Sequence, residues 1–454
     1  MTLHDVSLSD RYDLSKPTVL LSGTQALVRL ALMQRARDAA AGLNTAGYVT
    51  GYRGSPLGAV DGTFAAAGQQ LTEAGVKFHP GLNEDLAATA IWGAQTAETR
   101  GEGKYDGVFG LWYGKGPGVD RSGDVLRHAN LAGSSKHGGV LVAMGDDHTG
   151  ESSTTLHQSE MAMMDAYIPV LSPAGVQELL DYGVYGWAMS RFSGCWVGLK
   201  CMKDTVEATG VVDGRPDRLE IVTPDFEMPA GGLNIRAYEE PWQAEARLHD
   251  YKRDAVLAFA RANRLDRRVW GEAGARIGIV SAGKSYMDVV HALSLLGIDA
   301  EMAARIGLTT YKVGMTWPLD PVPLMAWAEG LDLIVVVEEK RPIIETQLKE
   351  ILFDQRSHAR VVGHKDRAGR VLFTVKKGLD PVTIARGIGG QMVGEGLAND
   401  TINERMAQLN EAIRADNAPE LAQRAPWFCA GCPHNTGTQL HEGARAYSGI
   451  GCHY

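Results

Sequence analysis

Three cysteines toward the end of the chain have the spacing of a metal or cluster site. Cys429 and Cys432 stand two residues apart in Cys-Ala-Gly-Cys, and Cys452 follows in Gly-Ile-Gly-Cys. Two thiolates at this spacing grip one metal ion or cluster, and a third thiolate can close the cage. Zinc, with His434 or His453 as a nitrogen donor, fits the spacing as well as an iron–sulfur cluster does. Spacing alone leaves both open.

A glycine-rich loop with a guanidinium and a hydroxyl follows the strand predicted at residues 47–51. Its candidate binding residues are Tyr52, Arg53, Gly54, Ser55 and Pro56. Arginine binds carboxylates through a planar fork of donors, and a serine hydroxyl can add one more hydrogen bond. The alternative is a rigid turn that starts a helix, with Ser55 as N-cap and Pro56 at the first helical position. The two interpretations are compatible.

Asn83, Glu84 and Asp85 open a helix that the apolar periodicity predicts over residues 83–100. By residue type alone, the asparagine caps this helix and the two acids complement its dipole. A chemical role for Glu84 requires apolar surroundings, which raise the pKa of a carboxyl group and let it share a proton. On the residues alone the capping interpretation is favoured.

A second glycine-rich junction, Lys115-Gly116-Pro117-Gly118, follows the apolar strand predicted at residues 106–113. Such strand–helix junctions often cradle anions through backbone N–H groups. The junction fits neither the P-loop pattern nor GxGxxG, so it is weak as a nucleotide motif. The loop at residues 146–148 (Asp-Asp-His) is similar in character, and a metal site there is speculative.

Strand-like and helix-like runs alternate between residues 45 and 203, which predicts a mostly parallel sheet covered by helices on both faces. Ligands of such sheets bind at the carboxyl ends of the strands, where these loops lie. Proline, glycine and mixed charges over residues 204–241 predict a linker. A second α/β unit begins near residue 275, and a polar helix is predicted over residues 401–416.

The composition narrows the class of protein. The net charge is −9 and no basic stripe is present, which argues against nucleic-acid binding. No apolar run approaches the 18 residues of a membrane span, and the amino-terminal residues show no signal-peptide pattern. Five cysteines, an odd number, suit a reducing compartment better than a disulfide framework. We therefore expect a cytoplasmic α/β enzyme.

Together, these stretches resemble the indolepyruvate ferredoxin oxidoreductase family of thiamine-diphosphate-dependent 2-oxoacid:ferredoxin oxidoreductases, in particular the front portion of its fused long form. The resemblance runs from about residue 20 to the end. It implies a thiamine-diphosphate-binding α/β fold with a pyrimidine-binding domain and a transketolase-C-terminal-like domain. The implied segments are a pyrimidine-binding domain (1–210), a linker and helix (211–270), the transketolase-C-terminal-like domain (271–395), a helical connector (396–424) and the truncated start of a diphosphate-binding domain with the CxxC (425–454).

The resemblance also implies roles for individual residues. Glu84 occupies the place of the glutamate that activates the pyrimidine ring of thiamine diphosphate. The loop Tyr52–Pro56 lies where the family has its substrate and cofactor loop, although Arg53 stands where short-form relatives tend to carry proline. Lys115, Gly118 and Asp124 fall in the family's Lys/Gly/Asp loop beside the cofactor.

For the cysteines, the resemblance implies three ligands of a [4Fe–4S] cluster: Cys429, Cys432 and Cys452. The GDG…N element that binds Mg²⁺ and diphosphate is absent from the sequence, as are a fourth cysteine and a gamma-type domain. We therefore expect an incomplete part of the enzyme that is inactive when isolated. Its expected partners are the remaining domains, ferredoxin, a 2-oxoacid and a second copy of itself.

The implied reaction is oxidative decarboxylation of a 2-oxoacid, such as indolepyruvate, to an acyl-coenzyme A, with the electrons passed to ferredoxin. Two alternatives remain open. A non-catalytic metal-binding or assembly module is favoured if Glu84 is exposed on a helix end, and disfavoured if Glu84 is buried in a cleft. A non-oxidative thiamine diphosphate decarboxylase needs no cluster, and the cysteines argue against it.

Overall fold

The computed structural model describes residues 7–151, 156–416 and 427–447. Its α/β class is the one that the sequence predicts. The strands are β1 Thr18–Ser22, β2 Thr45–Gly51, β3 Val76–Phe78, β4 Gly107–Lys115, β5 Val140–Asp146, β6 Val170–Leu171, β7 Val197–Met202, β8 Thr209–Asp213, β9 Arg267–Trp270, β10 Ile277–Ala282, β11 Leu308–Val313, β12 Met315–Trp317, β13 Leu333–Val337 and β14 Arg360–Val362.

Short and medium-length helices connect these strands. They are α1 Gly23–Ala40, α2 Val60–Ala66, α3 Gly68–Glu73, α4 Glu84–Gln95, α5 Gly116–Arg121, α6 Gly123–Ala132, α7 Glu160–Asp165, α8 Val176–Ser193, α9 Lys203–Val206, α10 Pro241–Arg247, α11 Arg253–Ala262, α12 Gly283–Leu295, α13 Ala300–Ile306, α14 Pro321–Ala328, α15 Ile344–Asp354, α16 Pro381–Gly394, α17 Asp400–Asp416 and α18 His434–Gly437. A 3₁₀ turn (Leu8–Tyr12) and a π-helical stretch (Leu248–Lys252) complete the set. In the described part of the chain, no helix has both the length and the apolar content to cross a lipid bilayer.

The first domain is built on a seven-stranded sheet with the order β12-β6-β7-β5-β4-β2-β3. Every pair is parallel except β12 with β6. All residues of β5 are buried. Because successive side chains point to opposite faces, Leu141 and Ala143 pack in the core under α1 and α8, whereas Val140 and Val142 pack in the core under α4 and α6. Burial on both faces explains the continuous apolar runs in the sequence.

The sheet order places a reversal of the winding at β2. Strand β3 pairs with one side of β2 and strand β4 with the other. The connection from β2 to β3 and the connection from β3 to β4 therefore run in opposite directions along the sheet. In open α/β sheets, the crevice beyond the carboxyl ends of the strands at such a switch point is where ligands bind. The loops that follow β2 and β4 are the two glycine-rich segments singled out in the sequence.

A second domain is built on a five-stranded sheet with the order β14-β13-β10-β11-β9, parallel except for β9. Strand β13, Leu-Ile-Val-Val-Val, is entirely buried. Its alternate residues fill two cores, one under α12 and α16 and the other under α14 and α15. This sheet also reverses its winding, since β11 and β13 lie on opposite sides of β10.

The structure differs in three places from the division predicted for the chain. Residues 209–213 of the predicted linker form β8, which pairs with β1. Strand β12 comes from the second unit but joins the first sheet beside β6, so the two domains share a strand. Helix α17, expected as a connector, packs on the second core through the buried Ile402.

A buried lysine fixes the helices that connect the two domains. The ammonium group of Lys252 donates to the carbonyl groups of Asn130 and Gly194, each at 3.2 Å, and of Leu131 at 3.4 Å. These carbonyls lie at the carboxyl ends of α6 and α8, where a cation is favourable because the last helical carbonyls lack partners. The same ammonium therefore ties α6 and α8 to the connecting helices.

Candidate functional site

The loop after β2 turns at the carboxyl edge of the first sheet. The backbone N–H of Tyr52 donates to the carbonyl of Tyr113 at 3.0 Å, and that of Leu57 donates to the carbonyl of Gly54 at 2.7 Å. The side chains of Tyr52 and Arg53 are exposed. The loop thus presents an aromatic ring and a guanidinium at the edge where the switch point lies.

The loop does not start a helix. Pro56 is buried, and its ring lies against Gly145 of β5, where an added Cβ would be 3.2 Å from the Pro56 Cδ. Helix α2 begins at Val60 with Ala59 as its N-cap. The alternative in which Ser55 caps a helix that begins at Pro56 is therefore wrong, because Pro56 is held against the sheet before the helix starts.

Glu84 is the first residue of α4. The side chain of Asn83 accepts a hydrogen bond from the backbone N–H of Leu86 at 2.9 Å, so the predicted cap is confirmed. The carbonyl of Glu84 accepts a hydrogen bond from the indole of Trp112 at 2.9 Å, which ties the helix start to β4. Glu84 itself is half-buried. Capping and a chemical role are therefore compatible at this position.

Two glycines let the three segments meet. A Cβ added at Gly118 would lie 2.6 Å from Cγ and 2.7 Å from Oε1 of Glu84. One added at Gly54 would lie 2.6 Å from Cδ of Lys115. The α4 start and the loop after β2 therefore both rest directly on the Lys115–Gly118 junction. Eight of the predicted site residues lie within this contact network or on its loops: Tyr52, Arg53, Gly54, Ser55, Pro56, Glu84, Lys115 and Gly118.

The carboxylate of Glu84 has no hydrogen-bond partner among the described residues. The nearest charged pair is Asp85 with Arg121, whose guanidinium donates to Asp85 at 2.6 Å. The hydrogen bond from Arg121 lowers the pKa of the exposed Asp85. The start of a helix also favours a negative charge. Glu84 is thus a carboxylate at the sheet edge whose oxygens are not committed to another side chain.

Several residues of this region gave no signal in the sequence. Burial, and then the hydrogen bond of 2.5 Å to Asp61, raises the pKa of Tyr113 at the end of β4. His157 contacts Gly116 and hydrogen-bonds Asp120. These contacts join residues far apart in the chain, and no local spacing marks them. By contrast, the side chain of Asp124 is 94% exposed, and its carboxylate lies 3.5 Å from the imidazole of His128.

The loop at residues 146–148 serves the packing of the domains. Asp146 is fully buried and accepts hydrogen bonds from the backbone N–H and the hydroxyl of Ser159, at 2.9 and 2.5 Å. The imidazole of His148 donates to Glu339 of the second domain at 2.6 Å. Among the described residues, no three histidine, cysteine or carboxylate side chains form a group that could hold a metal ion.

A cavity of about 30 Å³ lies between the two domains. It is lined by residues at the carboxyl ends of strands from both sheets, including Lys200 and Lys284. Three buried atoms of its lining side chains have no hydrogen-bond partner among the described residues: Nε2 of His148, Oε2 of Glu160 and Oγ1 of Thr316. Its size and polarity suit one water molecule with several partners. The crevice at the second switch point is therefore filled by side chains of the first domain.

A much larger cavity lies elsewhere in the first domain. It has a volume of about 1000 Å³ and lies between α1, α8 and the irregular segment 216–234. Its walls include Leu43 and His137, which precede β2 and β5, so it opens at the amino ends of the strands. None of the sequence-predicted site residues that the structure describes lines it. Size alone therefore does not mark the candidate site.

The two cysteines of the CxxC, Cys429 and Cys432, lie in a turn. The backbone N–H of Cys432 donates to the carbonyl of Cys429 at 3.0 Å, and the side-chain amide of Asn435 donates to the same carbonyl at 2.9 Å. Cys429 is exposed and Cys432 partly so. Both are accessible, and such a turn suits a shared metal or cluster. Cys452 and His453 lie outside the described residues, so the third ligand stays a prediction.

Comparison with known proteins finds similarity to indolepyruvate oxidoreductases. A family model described as an indolepyruvate oxidoreductase domain matches residues 267–416. The indolepyruvate oxidoreductase subunit IorA of Pyrococcus abyssi is 26% identical over 449 residues, which cover 96% of this chain and 61% of the relative. The chain is thus similar to an indolepyruvate oxidoreductase subunit over almost its whole length. The subunit IorA of Methanothermobacter marburgensis is 23% identical over 435 residues, with the same coverage of both chains.

Relatives in this family are longer than the chain. The chain spans about three fifths of the length of the curated indolepyruvate oxidoreductase subunits that it matches. Among solved structures, a 2-oxoglutarate:ferredoxin oxidoreductase from Magnetococcus marinus, with 2-oxoglutarate, coenzyme A and succinyl-CoA bound, covers 84% of this chain and 66% of its own. Its TM-score is 0.59 at 16% sequence identity, so this similarity concerns the fold.

Proposed function

We propose that this chain provides the pyrimidine side of a thiamine-diphosphate site in an enzyme that oxidises a 2-oxoacid. The observation that carries the proposal is the meeting of three segments at the switch point of the first sheet: the loop after β2, the start of α4 and the junction before α5. Ligands of α/β sheets bind at this position. The family match supports 2-oxoacid oxidoreduction as the reaction class.

The residues present fit the cofactor. Glu84 offers a half-buried carboxylate with no hydrogen-bond partner among the described side chains, and Gly118 leaves room beside it that a larger residue would fill. The residues that would hold the pyrimidine end are Glu84, the Lys115–Gly118 junction and the loop Tyr52–Pro56. Exposed Arg53 offers a planar fork of donors for the carboxylate of a 2-oxoacid.

When bound, thiamine diphosphate accepts the electron pair that is left when a 2-oxoacid loses carbon dioxide. The role of this chain's own residues is to hold and transfer a proton. Glu84 is positioned by its capped helix and by the Trp112 indole, so its carboxyl oxygens can exchange a proton with a ring nitrogen at the sheet edge. The buried contacts of Gly118 and Pro56 keep the surrounding loops in place.

The same proposal includes the substrate, the acceptors of the acyl group and the electrons, the cluster ligands and the partner domains. The substrate is an arylpyruvate such as indolepyruvate, coenzyme A takes the acyl group, and ferredoxin takes the electrons. Cys429, Cys432 and Cys452 ligate a [4Fe–4S] cluster. Mg²⁺ and the diphosphate are bound by a diphosphate-binding domain, and a gamma-type domain and a second copy of the chain complete the assembly. The family name and the CxxC turn support these assignments.

The Glu84→Gln substitution tests the proposal. In the complete oxidoreductase, the amide cannot exchange the proton, so 2-oxoacid-dependent ferredoxin reduction should fall at least about 10²-fold. The melting temperature should change little, since Asn83 still caps the helix. Glu301→Gln is a matched control, because Glu301 also lies in the first turn of a capped helix, on the second domain. Near-normal turnover by Glu84→Gln would refute the role of this residue.

A further inference from the structure

His157 lies against the helix that carries Gly118. A Cβ added at Gly116, the first residue of α5, would lie 2.2 Å from Cγ and from Nδ1 of the His157 imidazole. The ring therefore packs directly on the α5 backbone, where only glycine leaves room for it. The His157 side chain is only 13% exposed. This contact comes from the segment that follows β5.

Two carboxylates hold the imidazole, one on each side. Nε2 of His157 donates to Asp120 of α5 at 2.8 Å. Nδ1 lies 3.7 Å from the carboxylate of Asp146, the last residue of β5. Asp146 is itself fixed by two hydrogen bonds from Ser159, and Lys200 and His148 act on its charge. The imidazole thus lies between an exposed carboxylate on the helix and a carboxylate that is fixed in the core.

The opposite side of the same junction faces the candidate site. Gly118 contacts Glu84, and Lys115 contacts Gly54. We propose that His157 is a positioning residue, which in its protonated form clamps α5 and so sets the place of Gly118 beside Glu84. The inference about Glu84 rests on the proposed function, whereas the clamp itself rests on the contacts of His157 alone.

Because the clamp requires a protonated His157, its strength should depend on pH. Burial lowers the pKa of His157, but the interactions with Asp146 and then Asp120 outweigh burial and raise the pKa above its ordinary value. A group with a raised folded-state pKa stabilises the fold fully below its unfolded-state pKa, and this contribution is lost as the pH rises through the folded-state pKa. The clamp should therefore be closed at pH 6 and released in alkaline solution.

Hydrogen–deuterium exchange of residues 114–123 tests the clamp without any cofactor. After correction for intrinsic exchange, the wild-type chain should exchange slowly at pH 6 and faster as the pH rises. His157→Gln keeps a polar side chain but cannot be charged, so exchange at pH 6 should be about tenfold faster, the effect of losing one charge-assisted hydrogen bond. His128→Gln, an exposed histidine on α6, is the matched control and should leave exchange at 114–123 unchanged.

A second variant covers the case in which His157→Gln fails to fold. Asp120→Asn removes only the exposed carboxylate, which is 61% accessible, and leaves Asp146 and its ring contact in place. Asp120→Asn should speed exchange in residues 114–123 by less than His157→Gln does. Wild-type-like exchange and an unchanged pH dependence in either folded variant would overturn the clamp.

Thiamine diphosphate titrations of the complete oxidoreductase separate this inference from the proposed function. If both hold, His157→Gln should weaken cofactor binding at pH 6 about tenfold and flatten the pH dependence of the affinity. If wild-type enzyme binds no thiamine diphosphate while His157→Gln still speeds exchange at 114–123, the proposed function fails and the clamp stands. If His157→Gln speeds exchange but leaves the cofactor affinity unchanged, His157 holds α5 but does not position Gly118 for cofactor binding.

Discussion

At the scale of single residues, the proposed chemistry depends on Glu84 and Gly118. The carboxylate of Glu84 is half-buried, and its backbone is fixed by the Asn83 cap and the Trp112 indole. The absence of a side chain at Gly118 leaves the room that the Glu84 side chain occupies. Glycine is required at position 118 because the Glu84 side chain approaches closely, not because the backbone there adopts a special conformation.

Gly118→Ala should therefore displace the carboxylate of Glu84 and leave the fold intact. The new methyl group would lie 2.6 Å from the Glu84 Cγ, and a flexible side chain moves more easily than a helix backbone. Turnover of the complete oxidoreductase should fall about 10²-fold, as for misplacement of a catalytic group. Gly62→Ala on α2, where nothing lies within 4 Å of the new methyl, is the matched control. Equal turnover in both variants would contradict the packing argument.

At the scale of elements, the CxxC turn stands apart from both domain cores. None of the described residues 427–447 is buried. The turn is closed by local hydrogen bonds to the carbonyl of Cys429 rather than by packing. When ligands come from such a segment, binding of the metal or cluster supplies much of the free energy that orders it. A cluster would therefore determine the position of this segment as well as its redox function.

Cys429→Ala and Cys432→Ala should each abolish one cluster signal. The measurement is low-temperature EPR of the complete oxidoreductase after anaerobic reconstitution and reduction. Each substitution removes one thiolate ligand of the proposed cluster, so electron transfer should stop while decarboxylation continues. Cys201→Ala is the control, because Cys201 is buried in the first domain and burial raises the pKa of its thiol. A signal that survives in both single variants would exclude these cysteines, and a stoichiometric zinc content would favour the alternative metal.

At the scale of the whole molecule, charged side chains at the carboxyl ends of the two sheets join the domains. His148 of the first domain and Lys284 of the second both donate to the Glu339 carboxylate, at 2.6 and 2.8 Å. Strand β12 crosses into the first sheet and adds a backbone connection. The two domains are therefore held by buried, partnered charges, which are costly to separate one at a time.

This arrangement predicts how stability depends on pH. Burial by itself would raise the pKa of Glu339, but the hydrogen bond from His148 and the charges of His148 and Lys284 outweigh burial and hold the pKa at about 2. The contribution of a group with a lowered pKa is complete above its unfolded-state value of about 4.3 and is lost as the pH falls toward 2.

Chemical denaturation at pH 5, 4 and 3 measures this contribution. The wild-type free energy of unfolding should fall over this range, and by less in Glu339→Gln, which has no carboxyl group to protonate. At pH 5 the variant should be less stable by roughly 3 kcal/mol, as expected when one partner of a buried ion pair is removed. Glu350→Gln, an exposed glutamate on α15, is the control and should follow the wild-type curve. Parallel curves for wild type and Glu339→Gln would refute the prediction.

The sequence by itself determined the α/β class, the approximate strands and a family resemblance. Buried parallel strands are continuous apolar runs, such as Leu333–Val337, and a local pattern of this kind can be read without knowing its partners. The Asn83 cap is likewise local, since the side chain bonds a backbone group three residues away. The family resemblance rested on short motifs whose order along the chain needs no structure.

Only the tertiary structure decided which of these residues meet. The order of strands in the first sheet brings segments near residues 54, 84 and 118 to one switch point, and no local propensity encodes that order. The same holds for β12, which leaves its own domain, and for His157, whose partners lie on α5 and at the end of β5. Contacts between distant segments depend on how whole elements pack, so residue types and spacing could name the candidates but could not join them.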